Sequence, residues 1–336
     1  AIANGISVSA SLTSIDLRCN WLGEKGAKHI AEGIAVSASL TSIDLNSNKI
    51  EYKGAKHIAK GIAVSASLTQ VLAFCKLFCS LSHSLTAVVL LLTQINLGAN
   101  NIGGCDDVFH RNDGNIFYTP EGSRAIADAL RVSASLTSID LRGNWLGDEG
   151  AKCIAEGISI CASLTSINLY DNGIGYEGAK HLAKGISVSA LTYLDIRSNN
   201  LSGEGAVQLS AAVLGNAKIE KFNVIPVKEL RADFLTEHKL EFKAIGIDGA
   251  MVLAGLMSVS ASLTSIDLRA NKLGTEGAKY IAEGIAVSAS LTCINLKDNN
   301  IRCKGAEHIA KAISLSATLT QVLVFVSKRL LDNLTF

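Results

Sequence analysis

The sequence predicts an α/β solenoid, a horseshoe of roughly ten strand–helix units with a parallel inner sheet and outer helices. Three observations predict it. An anchor leucine recurs at Leu12, Leu40, Leu136, Leu164, Leu191, Leu263, Leu291 and Leu319, mostly at steps of 28 residues, with 27 between Leu164 and Leu191. Within each unit the hydrophobic period switches from that of a strand to that of a helix. An asparagine recurs where the switch occurs.

The first full copy, "SLTSIDLRCNWLGEKGAKHIAEGIAVSA" at residues 11–38, returns almost letter for letter from Ser39. Its opening is a strand with one buried face, because Ile15 and Leu17 alternate with Ser14, Asp16 and Arg18. Its second half is a helix burying one stripe, formed by Gly26, Ile30 and Ile34 with Ala27 and Ala31 beside them. One unit is too small to cover either apolar face, so units must stack, strand on strand and helix beside helix. Helices need roughly 8–10 Å of lateral space and paired strands about 4.8 Å, which curves the stack with the sheet inside.

The recurrent asparagines are Asn20, Asn48, Asn100, Asn144, Asn172, Asn199, Asn271 and Asn299. Each stands where the chain leaves the strand, and its amide can satisfy backbone groups of the turn and of the neighbouring unit as a buried ladder. The unit L-x-x-I-x-L-x-x-N-x-L-x-x-x-G-x-x-x-I-x-x-x-I resembles the leucine-rich repeat of the ribonuclease-inhibitor type. That resemblance covers most of the chain and implies the strand–helix horseshoe. It extends to Ran GTPase-activating proteins and to the repeat domains of cytosolic NLR receptors, so it specifies a fold more narrowly than a function.

Residues 1–336 read as a single solenoid with interruptions. Removing 71–94, an apolar stretch of 24 residues, restores "SLTQINLGANNIG", and removing the 16 residues 104–119 restores the spacing from Ile102 to Gly122. The first insert is expected to be a buried or partner-binding helix, or retained intron sequence, and the second a surface loop. Lys76, His83 and several serines argue against a membrane span in the first. Residues 219–234 form a short degenerate unit in which Pro226 opens a helical turn, and the next unit carries His238 and Lys243 in place of the usual Ile and Asn. A change of curvature or twist is expected there, and 326–336 is a non-repeat tail.

The 31 basic and 30 acidic residues leave a formal charge of +1, which supplies no global field for nucleic acid or an anionic membrane. Eight cysteines without a CxxC pair or a regular framework read as reduced thiols of a cytoplasmic protein. Two glycosylation sequons, at Asn200 and Asn333, are too short to alter that expectation. The chain opens inside a repeat and without a Met, as a fragment or a trimmed gene model would.

Two patterns that suggest chemistry are better explained by the repeat. "GIGYEG" at Gly173–Gly178 matches a dinucleotide-binding turn, yet Gly178 shares its slot with Gly26, Gly54, Gly150 and Gly277. His29, His57, His181 and His308 recur on the helices, but equivalent residues sit a helix diameter apart, too far to share a metal at bonds of about 2 Å. No catalytic triad, nucleophile elbow or P-loop rises above the repeat, so no enzyme activity, cofactor or metal is expected.

The outward strand positions of the inner face are expected to be free of packing duties. Asp16, Asp44, Asp140, Asp195 and Asp267 form an acidic stripe, interrupted by Asn96, Asn168, Asn223, Asn295 and Lys239. Arg18, Arg142, Arg197, Arg269 and Lys297 form a basic stripe two positions on, close enough for pairing across neighbouring units. Tyr170 and Tyr193 vary this face, and Trp21 and Trp145 follow the asparagine at its edge, where other units carry Lys49, Gly173 or Lys272. The expected function is a scaffold that binds a protein partner along the concave sheet and the strand-to-helix edge, through Asp16, Arg18, Trp21, Asp140, Arg142, Trp145, Tyr170, Tyr193, Asp195, Arg197, Asp267 and Arg269. The resemblance adds two alternatives: a GTPase activator of the Ran type, and the sensor region of an NLR-like receptor.

Overall fold

A computed structural model describes residues 2–78, 92–103 and 120–324, with the side chains of 66–78 outside the description. Contacts divide the chain into two units, Ala1–Leu191 and Thr192–Phe336.

In the first unit, α1 (Ile2–Val8) is followed by β1 (Ser14–Asp16), α2 (Gly23–Val36), β2 (Ser42–Asp44), α3 (Glu51–Phe78) and β3 (Gln94–Asn96). Then come α4 (Glu121–Val132), β4 (Ser138–Asp140), α5 (Gly147–Ile160), β5 (Ser166–Asn168) and α6 (Tyr176–Val188). Strands β1 to β5 pair in chain order, all parallel. Ile15 lies opposite Ile43, Ile43 opposite Ile95, Ile95 opposite Ile139, and Ile139 opposite Ile167. The sequence period is therefore the physical pitch of the sheet. Consecutive helices pack side by side, closely enough that a Cβ on Gly61 would lie 2.7 Å from the Ala31 carbonyl oxygen.

Three ladders of polar side chains hold this register. The Asn48 amide donates to the carbonyls of Leu17 (2.8 Å) and Leu45 (2.9 Å), and its Oδ1 accepts the N–H of Asn20 (2.9 Å). Asn100, Asn144 and Asn172 repeat the pattern, all buried, and Asn271 and Asn299 repeat it in the second unit. Two more ladders run through the recurrent S-L-T. Ser39 Oγ donates to the Leu12 carbonyl (2.9 Å) and Ser163 Oγ to that of Leu136 (3.0 Å). Thr41, Thr93, Thr137 and Thr165 each donate to the carbonyl of the threonine one strand earlier. These ladders satisfy buried backbone groups of the connections they cross.

The register also resolves the first insert. Gln94 opens β3 and Leu92 is buried in the anchor slot, while α3 runs on through Phe78. Leu-Thr-Gln stands at both 68–70 and 92–94, so removing 68–91 restores the repeat as well as removing 71–94 does. Strand pairing selects Leu92. Residues 79–91, the second insert 104–119 expected as a surface loop, and the tail 326–336 lie outside the described residues, among which no helix is long and apolar enough to cross a membrane.

The second unit contains β6 (Tyr193–Asp195), α7 (Gly203–Gly215), β7 (Lys221–Phe222), α8 (Val227–Arg231), β8 (Glu237–Lys239) and α9 (Gly246–Met257). It continues with β9 (Ser265–Asp267), α10 (Gly274–Val287), β10 (Cys293–Asn295), α11 (Arg302–Leu315) and β11 (Gln321–Leu323). Strands β8 to β11 form a parallel sheet in chain order, β6 pairs with β7, and no pairing among the described residues joins β7 to β8.

The short unit breaks the ladder for a physical reason. With five residues in α8, α7 packs directly on α9, and β7 turns back through reciprocal bonds between Phe222 and Ile225 (3.1 and 2.8 Å). Substitute polar groups close the gap. Arg231 donates to the carbonyls of Val213, Leu214, Asn216 and Ile219 at the end of α7. Asp233 Oδ1 accepts from Ser260 Oγ (2.7 Å), Ser262 Oγ (2.8 Å) and the N–H groups of Ala261 and Ser262; these bonds, the Ser260 hydroxyl foremost, hold its carboxyl below the usual range. Asn223, expected on the inner face, is instead fully buried with φ of 56°. The shortened strand turns inward there, so Asn223 Oδ1 accepts the Ile196 N–H (2.9 Å) and its amide donates to Asp248 Oδ2 (2.9 Å).

Two predictions follow from these buried groups. Asn144→Ala strips an amide that bonds its own turn and the preceding unit, at Leu141, Leu97 and Asn100, and is expected to cost about 3 kcal/mol in urea unfolding. Burial pushes the Asp248 carboxyl up to about 6 from 3.8. Because the folded value is the higher, this group favours folding below pH 3.8, and the contribution disappears as pH rises through about 6. Asp248→Asn should remove that loss, on the order of 3 kcal/mol, seen as a flatter stability profile between pH 4 and 7.

Candidate functional site

The inner-face carboxylates and amides have a structural duty. Asp16 Oδ1 accepts the Arg18 N–H (3.0 Å), and the same bond over two residues recurs from Asp44, Asn96, Asp140, Asn168, Asp195, Asp267 and Asn295. Asp and Asn make this bond more strongly than Ser or Thr, which agrees with their alternation at the slot. Lys239 departs from it.

The arginines pair mainly within their own strand. Arg18 forks onto Asp16, with Nη2 2.7 Å from Oδ2, and also approaches Asp44 at 3.6 Å. This pair lowers the Asp16 carboxyl and raises the Arg18 guanidinium. Arg142 forks onto Asp140 and Arg197 onto Asp195. The amides of Asn96, Asn168 and Asn295 donate across strands to Asp44, Asp140 and Asp267. Asp195 is buried and Arg197 nearly so, with Nη1 donating to the Lys243 carbonyl (3.0 Å). Tyr193 is half-buried beside the Lys221 ammonium. Tyr170 is 36% exposed.

The strand-to-helix edge is more open. Trp21 is 72% exposed and Trp145 47%, both in the left-handed region with φ of 54°. That conformation costs a side-chain-bearing residue about 1–2 kcal/mol, and an exposed indole recovers none of it through core packing. The Lys49 ammonium lies 4.0 Å from the centroid of the Trp21 ring. In the second unit, Phe242 is 69% exposed with φ of 57°, and the Arg269 guanidinium lies 5.2 Å from its ring. Phe242 is absent from the residues expected above, although it is an aromatic in the slot that Cys19 and Ser47 fill elsewhere.

The phosphate-like glycine turn is already occupied by the protein itself. Asp148 Oδ1 accepts the N–H groups of Gly175 (2.7 Å) and Gly178 (3.0 Å), which places a carboxylate where an anion would sit. His29 rests on Glu32 at 3.2 Å, and no cluster among the described residues is arranged to hold a metal ion. His238 fills an apolar slot on β8, where burial lowers its pKa.

The family model described as Leucine Rich repeat matches residues 8–31, 36–59, 132–155, 161–183, 190–210, 259–282 and 287–310. No curated protein matches. Among solved structures, the chain is similar to the leucine-rich repeat-containing protein LegL7 from Legionella pneumophila. The two are 17% identical over 98% of this chain and 88% of that one, with a TM-score of 0.45. It is also similar to a chain in the Rad7 and Elc1 complex in yeast (14% identity, 99% and 86% coverage, TM-score 0.34). A chain in the TLR13–ssRNA13 complex matches at 13% identity over 99% of this chain and 35% of that one, with a TM-score of 0.41.

Removing the carboxylate that caps the glycine turn should cost stability without creating a ligand site. Asp148→Ala is expected to lower the unfolding free energy by about 1 kcal/mol, measured in urea.

Proposed function

Seven matched units identify the chain as a leucine-rich-repeat protein, and from that premise we propose that it is a scaffold binding a protein partner through the strand-to-helix edge and the adjoining inner face. The observation that carries this reading is the pair of exposed, left-handed tryptophans, Trp21 and Trp145. The turn of the repeat holds this slot left-handed, as at Lys49 and Lys272, and the two tryptophans keep much of their indole in solvent there; large exposed aromatics are the residues from which interfaces draw most of their energy.

The charged stripes take a different part in this reading. Asp16, Arg18, Asp140 and Arg142 are exposed at their ends but engaged with each other, so a partner that meets them exchanges one ion pair for another and gains orientation more than affinity. Asp195, Arg197 and Tyr193 are packed within their own unit and serve as its support. Binding needs no chemical step; rigid presentation of a long surface limits the entropy lost on association.

The test is affinity capture with full-length protein, followed by mass spectrometry, beside the variants Trp21→Ala and Trp145→Ala. Proteins retained by the wild type should be depleted from both variants, each substitution costing about 2 kcal/mol of binding at a central anchor. Retention of the same proteins at equal yield would remove the edge from consideration.

A further inference from the structure

Two strands of this protein carry the same five letters and put their arginine in different places. Ser138-Ile139-Asp140-Leu141-Arg142 and Ser265-Ile266-Asp267-Leu268-Arg269 are identical in sequence. In both, the aspartate accepts the N–H of its arginine (3.0 and 2.9 Å), and an asparagine of the next strand donates to its other oxygen (3.2 and 3.1 Å). Arg142 then folds back onto Asp140. Arg269 lies over the Phe242 ring instead, with its Nε buried and unpartnered and its two Nη groups left as the ends that can meet a carboxylate. The arginine makes no ion pair among the described residues.

The preceding strand accounts for the difference. Arg142 stands beside Gly98 and Ala99, whereas the matching positions beside Arg269 are Glu241 and Phe242; Ala99 and Phe242 each donate their N–H to the carbonyl of the arginine concerned. A ring that is 69% exposed offers the guanidinium a face that alanine lacks. Among the inner-face arginines Arg18, Arg142, Arg197 and Arg269, the last alone forms no ion pair with the aspartate of its own strand among the described residues.

We propose that Arg269, held on Phe242, is a preformed receptor for a carboxylate of the protein partner, presented by an acidic side chain in an extended segment lying across β8, β9 and β10. The inference rests on the scaffold reading and names the chemistry of what one part of that scaffold holds. A planar guanidinium matches a carboxylate with two parallel hydrogen bonds, and stacking fixes its orientation before the partner arrives. Charge on the surrounding strands agrees. Lys239, Lys243 and Lys297 flank the site; of its acids, Asp267 is engaged by Asn295, and Glu237 and Glu241 remain. Phe242 acts as a positioning residue, since it touches the guanidinium and not the carboxylate.

The test uses fluorescence anisotropy at low salt with a labelled peptide in which Glu alternates with Gly and Ser, beside an otherwise identical peptide carrying Gln. The Glu peptide should bind more tightly than the Gln peptide, and Arg269→Gln should weaken it about tenfold. Arg131→Gln, on helix α4 and paired with Asp128 and Glu156, should leave binding unchanged. Phe242→Ala should weaken binding by releasing Arg269 onto Asp267, and Phe242→Tyr should restore it. Equal binding of the two peptides, or wild-type binding by Arg269→Gln, overturns the proposal. Loss of captured proteins from the tryptophan variants alongside an indifferent Arg269→Gln would leave the scaffold standing and reject this site alone.

Discussion

A parallel strand of three residues makes few hydrogen bonds of its own, and the chain must leave it in a turn whose backbone groups have no helix or sheet to satisfy them. The buried asparagine amide meets this constraint. It bonds carbonyls in two units and accepts an N–H from one, so neighbouring units cannot slide past each other without leaving several buried groups unpaired. The spacing of the strands and the alignment of the isoleucines beneath them depend on this register. The serine and threonine ladders impose the same condition at the other end of each strand.

Where this arrangement fails, its importance is visible. The unit of residues 219–234 has Lys218 and Glu220 in the slots of the serine and threonine, and the following unit has Lys243 in place of asparagine. The sheet stops pairing between β7 and β8, and Asn223, Arg231, Asp233 and Asp248 take over the buried bonds. A buried carboxylate at this junction costs stability above its raised pKa that a neutral amide would not, which makes the second unit sensitive to pH here.

Function has to be sought among residues that the ladders leave over, and these are few. The inner-face aspartates first close their own turns and then hold arginines, so charge on that surface is largely internal to the fold. Trp21 and Trp145 have no such duty, and Phe242 diverts Arg269 from the pairing its sequence would otherwise give it. Departures from the repeat therefore carry more functional information than its consensus, as expected of a framework reused across unrelated functions.

Much of the fold was legible because it is written in periods. Ile15, Ile30 and Ile34 announce a strand and a helix, and the recurrent Asn20 slot announces the amide ladder. The serine and threonine ladders were equally present in the repeated S-L-T, but small polar residues read as loop until their partners are located. Leu92 rather than Leu68 as an anchor was undecidable in letters, because both precede Thr-Gln, and strand pairing alone separates them. The sequence by itself determined the repeating unit, its register and the asparagines that hold it, since these depend on patterns along the chain. Tertiary structure alone decided that Asp148 fills the glycine turn, that Asn223 is buried and that Arg269 leaves Asp267, because each depends on which side chain the next strand brings alongside.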